Sequence, residues 1–539
     1  LLAAFLWLFR RTEYAGADQL AGGENVLFRL DPLAGAAAML AARQFIAAFW
    51  PAAVMVGLTL LFGRFFCGWI CPLGTFLDIF HRLFRPITRR TNRWFAAWFS
   101  NSRRLTASGQ IAASGKTMRF VLLVAVLLAA AFAFPLVGFV DPFSLLVRGM
   151  TFWGDPHLYR AADAGFDWAN HGWVVDVLKP FAQKHLLPFR AMAFHTAVVS
   201  AALLGLIFLL EFAARRFWCR YVCPAGAMFS LLSQWTPLLK RSPVKVCKTC
   251  GHCAETCRIG ALDRTAGFSP SRCTLCMDCI DDCPKGIVRF GFSFGKKSKS
   301  AKAAPRPVDL SRRSALVGIA LGAAIPGVAA TSQLVRPKSP DPFLIRPPGA
   351  AADEKKFLDL CIRCGECLKV CPTNVLQPAV FEAGLKGVFS PRLLPRFIVD
   401  QTFCEFSCTL CGQVCPTGAI PRLTEEAKHA KPTGHAYFDH SRCLPWAENT
   451  PCIRCEEMCP VSDKAIKIFK TVKTKDKTGQ EIELQFPYVD RDLCVGCGIC
   501  ESNCTIPDVS AVRVRRIDSP DPGTEFLLKG AAPPPHLEK

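Results

Sequence analysis

The sequence predicts a polytopic α-helical membrane domain followed by α+β modules folded around clustered cysteines, and two observations carry that expectation. The 539-residue chain is 51% hydrophobic and has a positive mean hydropathy, more apolar than an ordinary globular protein of this length. It also holds 28 cysteines, nearly all in tight runs rather than scattered as a disulfide framework would place them.

Membrane domain, residues 1–240. The opening run LLAAFLWLF, followed by Arg10 and Arg11, reads as the remnant of a first span, so the chain is read as a fragment that has lost its start. Residues 45–66, 120–140 and 192–213 are each apolar and long enough to cross a bilayer. Between the first two of these, residues 82–119 carry Arg82, Arg85, Arg89, Arg90, Arg93, Arg103, Arg104, Lys116 and Arg119 with no acidic residue. That excess marks a cytoplasmic loop. Residues 141–190 are balanced in charge and hold Trp153, Trp168 and Trp173, as an external loop would. The net charge of +22 therefore follows the expected topology, and a nucleic-acid partner is not expected.

Two motifs close predicted spans: Cys67-Gly-Trp-Ile-Cys71-Pro72-Leu73-Gly74 and Cys219-Arg-Tyr-Val-Cys223-Pro224-Ala225-Gly226. A C-x3-C spacing sets both sulfurs on one helical face, and proline then starts a new segment. The motifs form an internal repeat with three readings: buried small residues, redox-active thiol pairs, or a four-cysteine metal site where the motifs meet.

Two-cluster module, residues 241–295. Cys247, Cys250, Cys253 and Cys257 follow C-x2-C-x2-C-x3-C, and Cys273, Cys276, Cys279 and Cys283 repeat it, followed by Pro284. Three thiolates on one short loop can cap three irons of a cubane, while the fourth cysteine reaches the neighbouring cluster. Zinc prefers two separated C-x2-C pairs. Crossed ligation predicts one [4Fe–4S] cluster on Cys247, Cys250, Cys253 and Cys283 and a second on Cys273, Cys276, Cys279 and Cys257. Together these make one bacterial ferredoxin-like module, expected on the cytoplasmic side. The paired C-x3-C-P motifs and these two quartets resemble the NapH family of membrane quinol dehydrogenase components, with relatives of the NosR and CcoG types, over roughly residues 1–295.

Linker and apolar segment, residues 296–340. Residues 296–311 are basic and rich in Pro and Ala. Arg312 and Arg313 then precede an Ala- and Gly-rich stretch resembling a twin-arginine export signal, with Ala315 in place of the usual bulky residue. The competing reading is a fifth span. Val328, Ala329 and Ala330 offer a small-residue cleavage site, and either reading carries the rest of the chain, residues 341–539, to the periplasm.

Four-cluster domain, residues 341–518, with a disordered tail over 519–539. Cys361, Cys364, Cys367 and Cys371 repeat the compact spacing, Cys404, Cys408, Cys411 and Cys415 open with three intervening residues, and Cys443, Cys452, Cys455 and Cys459 open with eight. The last quartet is Cys494, Cys497, Cys500 and Cys504, with Thr505 where proline is usual. Residues 464–486 read as a hairpin with a charged tip. The order of quartets over 353–518 resembles the NapG and MauM ferredoxin-type proteins. That resemblance implies pairing of the first quartet with the last and of the middle two. It would place Cys361, Cys364, Cys367 and Cys504 in one site, Cys494, Cys497, Cys500 and Cys371 in its partner, Cys404, Cys408, Cys411 and Cys459 in a third, and Cys443, Cys452, Cys455 and Cys415 in a fourth.

The functional expectation is an electron-transfer protein of the bacterial inner membrane with six [4Fe–4S] clusters. It takes electrons from the quinol pool and delivers them to a periplasmic cytochrome or molybdenum reductase. The rival reading is a reductive maturation factor for a periplasmic metalloenzyme. Quinol oxidation needs a proton acceptor, and the candidates are His195, inside a predicted span, and Glu211 at its inner end. Haem is not expected, since facing spans offer no second histidine ligand.

Overall fold

The computed structural model of the chain describes residues 2–14, 16–20, 25–87, 91, 105–106, 110–111, 113–168, 179–182, 187, 192–241, 252–262, 268–284, 286, 288–292, 312–331, 341–397, 402–475 and 481–519. The basic linker 296–311, most of the expected tail, the hairpin tip at 476–480, and the ligand candidates Cys247 and Cys250 lie outside them.

The expected polytopic membrane domain is not what these residues form. Among the described residues, no helix is long and apolar enough to cross a membrane. The run 45–66 breaks into a short turn, Ala47–Phe49, and a helix, Trp50–Phe62, of 13 residues, about 20 Å against the roughly 30 Å of a hydrocarbon core. It stops at Gly63, whose φ of 73° no helix continues through, and Arg64 behind it is wholly buried in protein. The run 120–140 ends its helix, Ala113–Ala131, at a left-handed Ala133 and then Pro135. In 192–213 only Ala197–Leu210 is helical. The multi-pass inner-membrane placement, with its cytoplasmic and periplasmic sides, loses its basis with these spans. Hydropathy alone could not see the breaks, since Gly, Arg and Pro are each tolerated within an apolar average.

The N-terminal half is instead a packed set of short helices. Leu33, Ala37 and Ala38 of Pro32–Ala42, Leu73 and Leu77 of Pro72–Leu83, and Phe229 of Pro224–Leu232 share one core with Phe66 and Phe143. Trp50, Val198 and Leu209 remain exposed on it. Arg312–Thr331 lies along Ala113–Ala131, where Gly318 and Gly322 let the two backbones approach: a Cβ at Gly322 would sit 2.9 Å from the Ala125 carbonyl oxygen.

The C-terminal half has almost no extended sheet. Its strands form antiparallel pairs, Leu376–Pro378 with Pro391–Leu393, His435–Phe438 with Val512–Arg515, and the hairpin Ile466–Lys475 with Glu481–Val489. The rest is loop and single-turn helix wrapped around cysteines. The halves share one core: Arg363 donates to the Pro135 carbonyl, Lys369 to that of Phe9, and the Asn374 amide to Ala193 at 2.9 Å.

Candidate metal centres

Each cysteine loop is built the same way. The third cysteine falls in a single-turn helix, as in His252–Thr256, Asp278–Asp281, Glu366–Lys369, Leu410–Gln413, Arg454–Glu457 and Ile499–Ser502. In three loops the residues on either side of the second cysteine are left-handed: Leu275 and Met277, Arg363 and Gly365, Gly496 and Gly498. Glycine takes this conformation freely, whereas Leu275, Met277 and Arg363 adopt it at a cost of about 1–2 kcal/mol each. The alternation curls the chain so that backbone N–H groups turn inward, as anion-binding nests do. Ala261 donates to the Cys257 sulfur at 3.2 Å, Leu275 to Cys273 at 3.4 Å, Ile420 to Cys415 at 3.4 Å, and Ala436 to Cys494 at 3.4 Å.

The thiols of the C-terminal domain have neighbours beyond their own loops. Cys361, Cys364 and Cys367 interact electrostatically with Cys415. Cys404, Cys408 and Cys411 gather with Cys371. Cys443 and Cys455 gather with Cys452 and Cys504, and Cys494, Cys497 and Cys500 surround a cavity whose wall also contains Cys459. The fourth cysteine of each of these quartets thus lies beside the first three of the quartet adjacent to it in sequence. The reason is the chain path: strands 376–378 and 391–393 fold the second quartet back on the first, while His435–Phe438 pairs with Val512–Arg515 to close the third quartet on the fourth. In the N-terminal module Cys273 and Cys276 lie with Cys257.

These sites fit a cluster by the chemistry of their donors. None of the described cysteines is joined in a disulfide. Burial pushes the thiols of Cys273, Cys443 and Cys455 up to about 12, and iron supplies the positive charge that lets buried thiolates form. Buried cations stand beside them. Arg148, 2% exposed, stacks 4.5 Å over the Phe389 ring beside Cys361 and Cys364. Lys428 donates to the carbonyls of Phe406 and Cys408 at 2.9 Å, and Arg396 to that of Cys504 at 2.9 Å.

The remaining candidates are placed differently from expectation. His195 is in no helix; it is exposed in a turn, its ring 3.8 Å from that of Phe397. Glu211 is wholly buried at the end of Ala197–Leu210, accepting from the Arg216 N–H at 2.8 Å, and burial raises its pKa to about 7. Cys67, Cys71, Cys219 and Cys223 do converge, since each of Cys71 and Cys223 interacts with the other motif's thiols. Two arginines stand in that neighbourhood, Arg64 and Arg216. The sequence marks them both, for the repeat extends three residues upstream: Arg64-Phe-Phe-Cys67 and Arg216-Phe-Trp-Cys219.

Two family models match the chain. A 4Fe-4S binding domain covers residues 44–91 and again 195–243, and a 4Fe-4S dicluster domain covers residues 360–419, the first two quartets of the C-terminal domain. Over 215 residues, 39% of this chain and 90% of the relative, the sequence is 32% identical to a methylamine utilization ferredoxin-type protein MauM of Methylorubrum extorquens. It is 32% identical to the ferredoxin-type protein NapG of Escherichia coli over 163 residues, 30% of this chain and 66% of NapG. The putative electron transport protein YccM of Escherichia coli is 27% identical over 252 residues, 46% of this chain and 56% of YccM. No solved structure matches.

Proposed function

Because this chain belongs to the family of ferredoxin-type proteins that includes MauM, an iron–sulfur electron-transfer family, we propose that its C-terminal domain is a linear relay. Each [4Fe–4S] cluster, when bound, takes up and gives back one electron. The observation that carries the order is which thiols of different sites approach one another. Cys367 of the first site interacts with Cys411 of the second, Cys497 of the fourth with Cys404 of the second, and Cys500 of the fourth with Cys455 of the third. The sequence of sites is thus first, second, fourth, third. The ends are the Cys361 loop, packed on the N-terminal helices, and the Cys443 loop, whose Cys452 lies toward the surface.

The donor in this reading is a quinol, and the acceptor a cytochrome or reductase. Support for the donor comes from a cavity of about 260 Å³ against the first site, lined by Phe5, Trp7, Phe9, Phe28, Asn25 and Glu366. Its apolar walls suit a flat aromatic ring. The buried amide of Asn25 and Glu366 Oε2 have no partner of their own, so both can hold a hydroxyl of the ring, and Glu366 directly precedes Cys367. The test is addition of a reduced short-chain quinol to the oxidised holoprotein under anaerobic conditions. Bleaching of the visible absorbance supports the donor, whereas absorbance that responds to dithionite but not to quinol removes it and leaves the relay standing.

A further inference from the structure

The sequence twice sets an aspartate before a proline at the head of a core helix: Asp31 opens Pro32–Ala42 and Asp141 opens Pro142–Gly149. Both aspartates are extended, with ψ of 107° and 129°, and both cap their helix with one oxygen. Asp31 Oδ1 accepts from the Leu33 N–H at 2.9 Å, and Asp141 Oδ2 from the Ser144 N–H at 2.7 Å. The other oxygen of each, Asp31 Oδ2 and Asp141 Oδ1, is buried with no donor in reach. The two carboxyls meet within hydrogen-bond distance in a core where they are 1% and 0% exposed. Adjacent carboxylates in such a place cannot both be ionised. Burial, reinforced by the Asp141 carboxyl, holds Asp31 well above the usual carboxylate range. A proton between them is the donor that both free oxygens lack.

The pair stands between the first site and the cavity. Arg148, on the helix that Asp141 opens, is buried, acts on both Asp141 and the thiols of Cys361 and Cys364, and leaves its Nη1 unpaired. Gly138, just before Asp141, touches the same cysteine loop: a Cβ there would stand 2.1 Å from the Ile362 carbonyl oxygen. On the other side, Asn25 and Phe28 line the cavity, and the Phe28 carbonyl accepts from the Asp31 N–H at 3.1 Å. The elements packed against the two helices hold their charges in other pairs. Pro72–Leu83 commits Asp78 to Arg216 and His81 to Glu211, and its Arg82 is exposed. Glu354–Leu360 pairs Glu354 with Arg346 and Asp359 with Lys386, its lysines being exposed. Ala113–Ala131 turns Arg119 to Ser230, and Val26–Arg29 carries Arg29.

We propose that Asp31 and Asp141 form a proton-binding site coupled to the electron at the first site: the pair holds one shared proton when that site is oxidised and takes up a second when it is reduced. For each electron that enters from an external reductant, one proton enters from solvent, and reoxidation returns both. In the oxidised state the two helix N-termini favour keeping one negative charge on the pair. An electron added at the cysteine loop makes the potential around the pair more negative, with no bulk water between to screen it, and so favours the protonated form. The coupling rests on the first site holding a redox-active cluster, as in the relay above, and is independent of the quinol donor.

The experiment is a redox titration of the anaerobically prepared, iron-loaded full chain across the neutral pH range, followed by electron paramagnetic resonance, with Asp31→Asn and Asp141→Asn alongside. Cys361→Ser identifies the component that belongs to the first site; if it alters none, the relay reading falls and the proton site with it. In wild type the ratio of reduced to oxidised form of that component is expected to fall about tenfold per pH unit at fixed ambient potential, as one proton per electron requires. Either asparagine keeps a capping oxygen and supplies an amide donor to the remaining carboxyl, so the variants retain their iron while that dependence flattens. A pH-independent component in wild type overturns the proposal. So does a dependence as steep in both variants as in wild type, even where the potential itself shifts, because a merely structural role moves the potential and not its slope. If neither variant accumulates, infrared difference spectra of wild type carrying isotope-labelled aspartate decide: a protonated-aspartate band that grows on reduction supports the site, and its absence overturns it.

Discussion

The backbone N–H of Cys404 donates to the carbonyl of Cys497 at 2.8 Å, a hydrogen bond between two quartets separated by most of the C-terminal domain. It joins the second site to the fourth and so ties two crossed pairs into one unit. Lys428 and Thr433 flank the junction, the first held by the carbonyls of the second site's loop, the second donating to the Gly496 carbonyl at 3.0 Å. A rigid contact of this kind fixes the separation over which an electron must pass.

Exchange of fourth cysteines between adjacent quartets has a direct consequence. Cys415→Ser removes a ligand from the site of Cys361, Cys364 and Cys367, whereas Cys504→Ser removes one from that of Cys443, Cys452 and Cys455. Each variant is expected to convert or lose one cluster, and each to alter a different resonance component. If Cys504→Ser and Cys361→Ser perturb the same component, the grouping is wrong.

Gly496 sits where the fourth site meets the strand region, with φ of 74°, and a Cβ there would stand 2.4 Å from the Gly434 carbonyl oxygen. Gly496→Ala therefore combines a left-handed alanine with a backbone clash. A loss of about 1–3 kcal/mol is expected, read as a lower unfolding midpoint in denaturant for the loaded protein.

Asp78 neutralises Arg216, itself 2% exposed, at 2.6 Å and Arg258 at 2.5 Å. Asp78→Asn leaves a buried guanidinium with no carboxylate, and breaking a buried pair in this way costs about 3–5 kcal/mol. Thermal melts of the variant should show the deficit, with Asp78→Glu recovering much of it.

Burial raises the carboxyl of Glu13 from its ordinary 4.5 to about 7, against the opposing pull of Lys369 and Arg10. The folded state thus binds a proton that the unfolded chain releases. The associated stability is full below about pH 4.5 and is lost as pH rises through 7, amounting to about 3 kcal/mol at most. Glu13→Gln should flatten the decline in melting temperature between pH 5 and pH 8, and an unchanged slope would assign that decline to other groups.

The cysteine loops were legible in the sequence because their information is local: a cubane dictates spacing within a dozen residues, and the left-handed Gly365, Gly496 and Gly498 are written beside the cysteines they serve. Which quartets lie side by side is not local information. It depends on strands such as His435–Phe438 and Val512–Arg515, which lie more than seventy residues apart, and quartets of similar spacing carry no mark of their partner. The membrane domain failed for a related reason. Hydropathy averages over Gly63, Arg64 and Pro135, whereas the fold turns on them one at a time. The burial of Arg64 and Arg216 is likewise not local information, since Gly226 and Gly74, which they approach, each lie in the other copy of the repeat.

The most direct test of iron–sulfur electron transfer by this chain is a reductive titration of the anaerobically purified, full-length protein, followed by visible absorbance and electron paramagnetic resonance, with iron and sulfide measured on the same sample. Reversible bleaching and spin-coupled signals from neighbouring clusters are expected, with iron and sulfide in equal amounts. Zinc in place of iron, or absorbance and resonance that stay unchanged across the whole titration, would contradict it.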